Sequence, residues 1–144
     1  MSKSVAIFVG VLLLAVGAIY YKSQQTLPSV VRWYTTEQVH LGATLFANNC
    51  AVCHKPDASG ESEWRRRLED GSLRPPPLNG SAHTWHHSMS VLRDIILKPN
   101  GVTPKSKMPS FDGVLNAQEV DAVIAYFQNK WSDKIYHSWS RINQ

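Results

Sequence analysis

The sequence predicts an all-α fold, a small helical body behind one apolar N-terminal segment. Three observations carry the prediction. Apolar residues recur at three- and four-residue steps in three stretches, around residues 39–46, 91–96 and 120–131. Residues 5–21 hold no charged side chain at all. The chain's only two cysteines, Cys50 and Cys53, stand two residues apart with His54 directly after, a spacing that suits a single helical turn.

Taken in order, residues 1–24 predict an uncleaved membrane anchor. The apolar run is at the short end of a span and longer than most signal-peptide cores. Tyr20, Tyr21 and Lys22 close it as an interfacial anchor. A cleaved signal is the competing reading, with Val16-Gly17-Ala18 as an imperfect cleavage site. Residues 25–34 are expected to be a linker, the stretch from Ser23 to Val30 being polar with one proline. Of fifteen Lys and Arg, Lys3 and Lys22 flank the run, leaving thirteen against eleven acids in the body. Nothing in that near-neutral balance points to a nucleic-acid binder, and no nucleic-acid partner is expected.

The body is expected over residues 35–131. Thr35 opens a helix, with Gln38 completing a capping box. Its apolar face is Val39, Gly42, Ala43 and Phe46, and Gly42 permits close approach of another helix. His40 reads as a solvated helix residue. After the cysteine motif, residues 55–76 are a polar connection, and Arg65-Arg66-Arg67 within it reads as a solubilising segment. Pro75-Pro76-Pro77-Leu78-Asn79-Gly80 fixes an extended stretch and a turn. A histidine-rich stretch follows, with His83, Trp85, His86 and His87. A second helix should start at Ser90, bury Val91, Leu92, Ile95 and Ile96, and stop near Lys98-Pro99-Asn100-Gly101. Met108 then sits in a loop before Pro109. The last strong helix opens at Asn116 with Glu119 as capping partner, and its stripe is Val120, Val123, Ile124, Phe127 and Trp131. Residues 132–144 form an amphipathic tail carrying Ile135, Trp139 and Ile142, expected to pack on the body, the membrane interface or a partner.

Cys50-Ala51-Val52-Cys53-His54 is the attachment pattern for a c-type haem. Each thiol can add to one of two neighbouring vinyl groups, and the same turn aims His54 at the iron as proximal ligand. A bare C-x-x-C also serves as a dithiol redox pair or half a zinc site, but zinc would need further strong ligands and no other cysteine exists. Met108 is the candidate distal ligand, because a loop thioether is a soft axial ligand that raises the potential. His83, His86 or His87 in its place would lower it. Trp85 is either a core residue or an indole N–H directed at a haem propionate.

Residues 35–131 resemble a class I c-type cytochrome, monohaem with His/Met ligation. Gly42 and Phe46 lie eight and four residues before Cys50, as in that family. Val123 and Tyr126 are similar to the pair with which the family's C-terminal helix crosses the first. Pro77-Leu78-Asn79-Gly80 resembles its Pro-x-x-Gly turn, and Met108-Pro109 its distal ligand. The resemblance implies a small cytochrome c-like helical domain around one covalently bound haem c, and the apolar run before it predicts a single transmembrane helix. It implies that Cys50 and Cys53 hold the haem, that His54 and Met108 are axial iron ligands, and that Pro77 and Leu78 lie in the haem surroundings. The Pro77 carbonyl would accept the His54 Nδ1 hydrogen bond. Haem attachment in such proteins implies a single-pass protein of a bacterial cytoplasmic membrane with its haem domain on the periplasmic side. Compared with small soluble members, the anchor, the long 55–76 connection and the tail are additions.

The expected function is one-electron transfer between respiratory-chain proteins, towards a terminal oxidase or from a dehydrogenase or quinol-oxidising complex. Six-coordinate iron leaves no open position for substrate, so no catalytic residue is expected. Lys98, Lys105 and Lys107 lead up to Met108 with no acid between Ile95 and Phe111, and are expected to steer an acidic partner. The alternatives are an integral haem subunit of a larger oxidoreductase complex and a tethered thiol–disulfide oxidoreductase using Cys50 and Cys53. A haem-based sensor would need Met108 to leave the iron.

Overall fold

A computed structural model describes residues 10, 12–21 and 30–143. It divides into two compact units, Met1–Val31 and Arg32–Gln144. In the first, residues 12–21 are helical and exposed. No helix among the described residues is long and apolar enough to cross a membrane. The rest of the expected anchor, and residues 25–29 of the linker, lie outside the described residues.

The second unit is helical throughout, with no strand among the described residues: α1 (Thr36–Asn49), α2 (Ala51–His54), a 3-10 turn (Thr84–His86), α3 (Met89–Leu97), α4 (Pro99–Val102), α5 (Ala117–Gln128) and α6 (Asp133–Ser140). Both expected capping boxes are present. Thr35 and Gln38 close the start of α1, Asn116 and Glu119 that of α5, each satisfying two amides that a helix leaves without a partner.

Helices α1 and α5 form the frame. Gly42 lies against the Ala122 carbonyl and the Tyr126 Cβ. One turn on, the Phe46 and Tyr126 rings meet at 5.0 Å. Val120, Val123, Ile124 and Phe127 are buried behind this crossing. The partner of Gly42 is therefore Ala122, with Val123 turned into the core beside it. Helix α3 is capped by Ser88 and begins at Met89, one residue earlier than the sequence reading placed it. Pro99 does not simply end it. The chain bends at Lys98 and Pro99 opens the short α4 from its first position, where proline needs no amide partner.

Trp131 lies beyond the end of α5 and is buried in the turn to α6. The tail is part of this compact unit. Tyr136 and Trp139 are buried, and Tyr136, outside the Ile135–Trp139–Ile142 stripe, is the most enclosed of the large side chains there. The segment before α1 meets them. Arg32 pairs with Asp133 at 2.5 Å and stacks over the Tyr136 ring at 4.1 Å, and the Trp33 amide donates to the Tyr136 hydroxyl at 2.9 Å.

Candidate haem site

Cys50 ends α1 and caps α2. Its carbonyl accepts from the amides of Cys53 at 3.1 Å and His54 at 2.9 Å, which closes the turn. The two thiols and the imidazole are thus carried on one rigid turn. Cys53 is exposed and Val52 is 90% exposed, whereas His54 is buried.

The buried imidazole is oriented by one bond. His54 Nδ1–H donates to the Pro76 carbonyl at 2.9 Å. This corrects the expected acceptor, Pro77, by one residue. The Pro77 carbonyl is already taken by the Thr84 hydroxyl at 2.9 Å, and successive carbonyls of an extended proline run point in different directions. With its proton on Nδ1, the ring leaves the Nε2 lone pair free of any hydrogen-bond partner among the described residues. Burial lowers the basicity of His54 more than the Pro76 carbonyl raises it. A neutral imidazole with one oriented, unshared lone pair is what an iron ligand requires.

Both cysteines are free thiols. Burial, and secondarily its neighbour Cys53, push the Cys50 thiol up to about 11. At neutral pH Cys50 is therefore a thiol rather than the thiolate that acts as a nucleophile. Two free thiols on one turn, with the neighbouring histidine held by a backbone acceptor, fit a covalently attached haem. Cys50 and Cys53 would hold the macrocycle and His54 the iron.

The connection from 55 to 76 folds back under this turn. The Gly60 amide donates to the His54 carbonyl at 2.9 Å, and the Leu78 amide to the Ala58 carbonyl at 2.8 Å. The Glu61 amide meets the Pro75 carbonyl at 2.9 Å, and Arg74 pairs with Glu61 at 2.9 Å. The arginine run is solvated as expected. Arg65 covers the Trp64 ring at 4.1 Å, Arg66 meets Glu63 at 3.4 Å, and Arg67 donates to the Gly71 carbonyl at 2.6 Å.

Met108 is half-buried in a loop fastened at several points. Its amide donates to Ser106 Oγ at 3.2 Å; beyond it, Ser110 Oγ donates to the Leu97 carbonyl at 2.5 Å and the Phe111 amide to the Ile96 carbonyl at 3.2 Å. Lys107 pairs with Asp70 at 2.7 Å, so the long connection also grips this loop. Lys107, with help from Ser72, holds the Asp70 carboxyl well below the usual range. Lys98 pairs with Asp112 at 3.6 Å. Of the three lysines expected to steer a partner, only Lys105 has no ion pair among the described residues.

Trp85 is half-buried, so it is not a plain core residue. It stacks on His86 at 3.7 Å, and its indole N–H has no hydrogen-bond partner among the described residues. His83 stacks on Trp64 at 4.9 Å and meets the edge of His87 at 5.2 Å. Among the described residues, no three His, Cys, Asp or Glu side chains converge to hold a metal ion.

Sequence reasoning missed Pro76 by a single position in a run of three prolines. It missed the Asp70–Lys107 contact because nothing local relates residues 37 apart. Residues 55–76 read only as a polar connection, with no sign that Gly60 within it would lie against the histidine's acceptor.

The family described as cytochrome c oxidase, cbb3-type, subunit III matches residues 37–127, well over half of the chain. No curated protein and no solved structure matches it.

Proposed function

The chain belongs to the cbb3-type cytochrome c oxidase subunit III family, and on that premise we propose that it is a membrane-tethered electron carrier of a respiratory chain. Membership establishes a monohaem c-type cytochrome domain with one covalently bound haem c, and electron transfer as its role. When bound, the haem supplies a one-electron couple. Cys50 and Cys53 would hold the macrocycle. Pro76 orients the His54 ring through Nδ1, and the ring's free Nε2 would serve as the proximal ligand. Met108, on its braced loop, would be the distal ligand; with both axial positions taken by protein, the haem would transfer electrons without binding a substrate.

The observation that carries this reading is the His54 imidazole, buried and neutral, with Nδ1 committed to Pro76 and Nε2 unshared. The test is visible spectroscopy of the purified protein, oxidised and reduced, with a pyridine haemochrome assay. We expect a c-type spectrum with the weak red charge-transfer band of thioether-ligated ferric haem. A c-type spectrum lacking that band would move the distal ligand to His83, His86 or His87, or to an open site. Absence of haem from cells able to attach it would return Cys50 and Cys53 to thiol chemistry.

Tethering and location form a separate part of the proposal. The charge-free run at 5–21 supports a single-pass anchor, and covalent haem attachment supports a body on the periplasmic side of a bacterial cytoplasmic membrane. Fractionation of the full chain and of a chain lacking residues 1–24 tests this; recovery of both in the soluble fraction would refute the tether. Partner steering is narrower than three lysines would give, because Lys98 and Lys107 share their charge with Asp112 and Asp70. Lys105 is left as the steering cation. Its replacement by glutamine should slow electron transfer to the physiological partner and flatten the salt dependence.

A second reading, a fixed haem subunit of a larger oxidoreductase complex, is favoured by the family's own description. Copurification after mild detergent extraction separates it from a free shuttle.

A further inference from the structure

The Pro76 carbonyl that accepts from His54 is held between two parts of the chain. On one side is Gly60, whose amide donates to the His54 backbone carbonyl at 2.9 Å. Its φ is +61°, and a Cβ there would fall 2.5 Å from the Pro76 carbonyl carbon and 2.6 Å from its oxygen. Gly60 therefore touches the histidine's backbone and the histidine's acceptor at once. Any side chain at this position would push the acceptor away.

On the other side is Leu78, two residues past Pro76, fixed at both of its backbone polar groups. Its amide donates to the Ala58 carbonyl at 2.8 Å, and its carbonyl accepts from Trp131 Nε1 at 2.7 Å. Ala58 and Trp131 are themselves buried. Gly80 presses on the Trp131 ring, with φ +91° and room for a Cβ only 3.0 Å from Cδ1. Trp131 lies beyond residue 127, where the family match ends.

We propose that Gly60 and Trp131 are positioning residues for the proximal ligand: by fixing the Pro76 carbonyl against His54 Nδ1, they set how strongly the imidazole donates to the iron, and so the redox potential. The proposal rests on His54 being the proximal ligand. An acceptor drawn close to Nδ1–H makes the ring more basic, and a more basic ligand favours ferric over ferrous iron. Loosening the acceptor must raise the potential. Neither residue reaches the iron; both act through Pro76.

The test is a spectroelectrochemical titration of the full-length holoprotein, wild type against Gly60→Ala, Trp131→Phe and Gly113→Ala. Gly113 also has a positive φ, +76°, but a Cβ there meets nothing within 4 Å, so it separates backbone strain from contact with Pro76. Trp131→Phe keeps a ring and deletes the N–H. At the wild-type midpoint, the ferrous-to-ferric ratio should rise at least about threefold in Gly60→Ala and Trp131→Phe, roughly 28 mV for a one-electron couple. The hyperfine-shifted Nδ1–H resonance of the axial histidine should move in both, and Gly113→Ala should change neither. If Gly60→Ala fails to attach haem, Trp131→Phe alone decides. An unchanged ratio in Trp131→Phe, or an equal shift in Gly113→Ala, overturns the proposal. Absence of axial histidine resonances from the wild type would remove His54 as ligand, a failure of the underlying reading and recognisable as such.

Discussion

At the scale of single residues, the two proposed iron ligands, His54 and Met108, are held differently. His54 is held inside the body by Pro76, whereas Met108 sits half-buried in a loop. Replacing Met108 by alanine should leave haem attached but remove the thioether charge-transfer band, lower the potential and let exogenous imidazole or carbon monoxide bind. An unaltered oxidised spectrum would show that Met108 is not the ligand. Asp70 is the residue through which acid should act on that loop. Its folded-state pKa lies below the ordinary value of 3.8 because Lys107 and Ser72 stabilise the carboxylate. A depressed value means that its stabilising contribution is complete above pH 3.8 and is lost as the pH falls from there towards the folded value. Asp70→Asn should therefore lower the urea midpoint at pH 7, and the gap from wild type should close below pH 3.8. A gap that persisted in acid would assign the effect to something other than the ion pair. The haem motif and its histidine were legible in the sequence because five adjacent residues carry the whole signal. The Asp70–Lys107 pair was not, since an ion pair between distant loops leaves no local pattern.

At the scale of elements, the crossing of α1 and α5 carries the domain. The sequence announced it through Gly42 and Phe46 on one helix and Tyr126 on the other, and both N-termini through their capping boxes. It also announced a close approach at Gly42, but not that Ala122 would be the partner. A Cβ at Gly42 would collide with the Ala122 carbonyl, a backbone atom that cannot turn aside as a side chain can. Gly42→Val should therefore cost about 3 kcal/mol, the upper end of ordinary overpacking, with much smaller loss at the solvated His40 on the same helix. Urea unfolding of the two variants makes the comparison, and equal midpoints would mean that the crossing is looser than the distances indicate. Element ends were read less well than element cores. Pro99 was expected only to break a helix, but a bend at Lys98 allows it to begin the next one. The turn after α5 likewise keeps Trp131 in the core, although the apolar stripe alone would have continued the helix through it.

For the molecule as a whole, the open question was what the tail is for. An amphipathic segment carrying Ile135, Trp139 and Ile142 suits a partner or a membrane surface as well as it suits the body, and periodicity alone does not separate these. Long-range contacts do. Trp139 Nε1 donates to the His87 carbonyl at 2.8 Å, Asn143 Oδ1 accepts from the Met89 amide at 2.7 Å, and the Tyr136 hydroxyl accepts from Trp33 at 2.9 Å. The tail thus binds both the histidine-rich turn and the segment that leads into α1. Tyr136 and Trp139 are only 2% and 3% exposed, which leaves little aromatic surface for a bilayer or another protein. If the tail is a strut of the body, Trp139→Ala should cost about 3–5 kcal/mol in the isolated protein, as large aromatic deletions in cores do. Trp139→Phe keeps the ring and removes one hydrogen bond, so its cost should be nearer 1 kcal/mol. An assembly surface would give the reverse: both variants as stable as wild type alone, and weakened only in copurification. Urea unfolding of the purified variants distinguishes the two, and midpoints unchanged from wild type would return the tail to the interface reading.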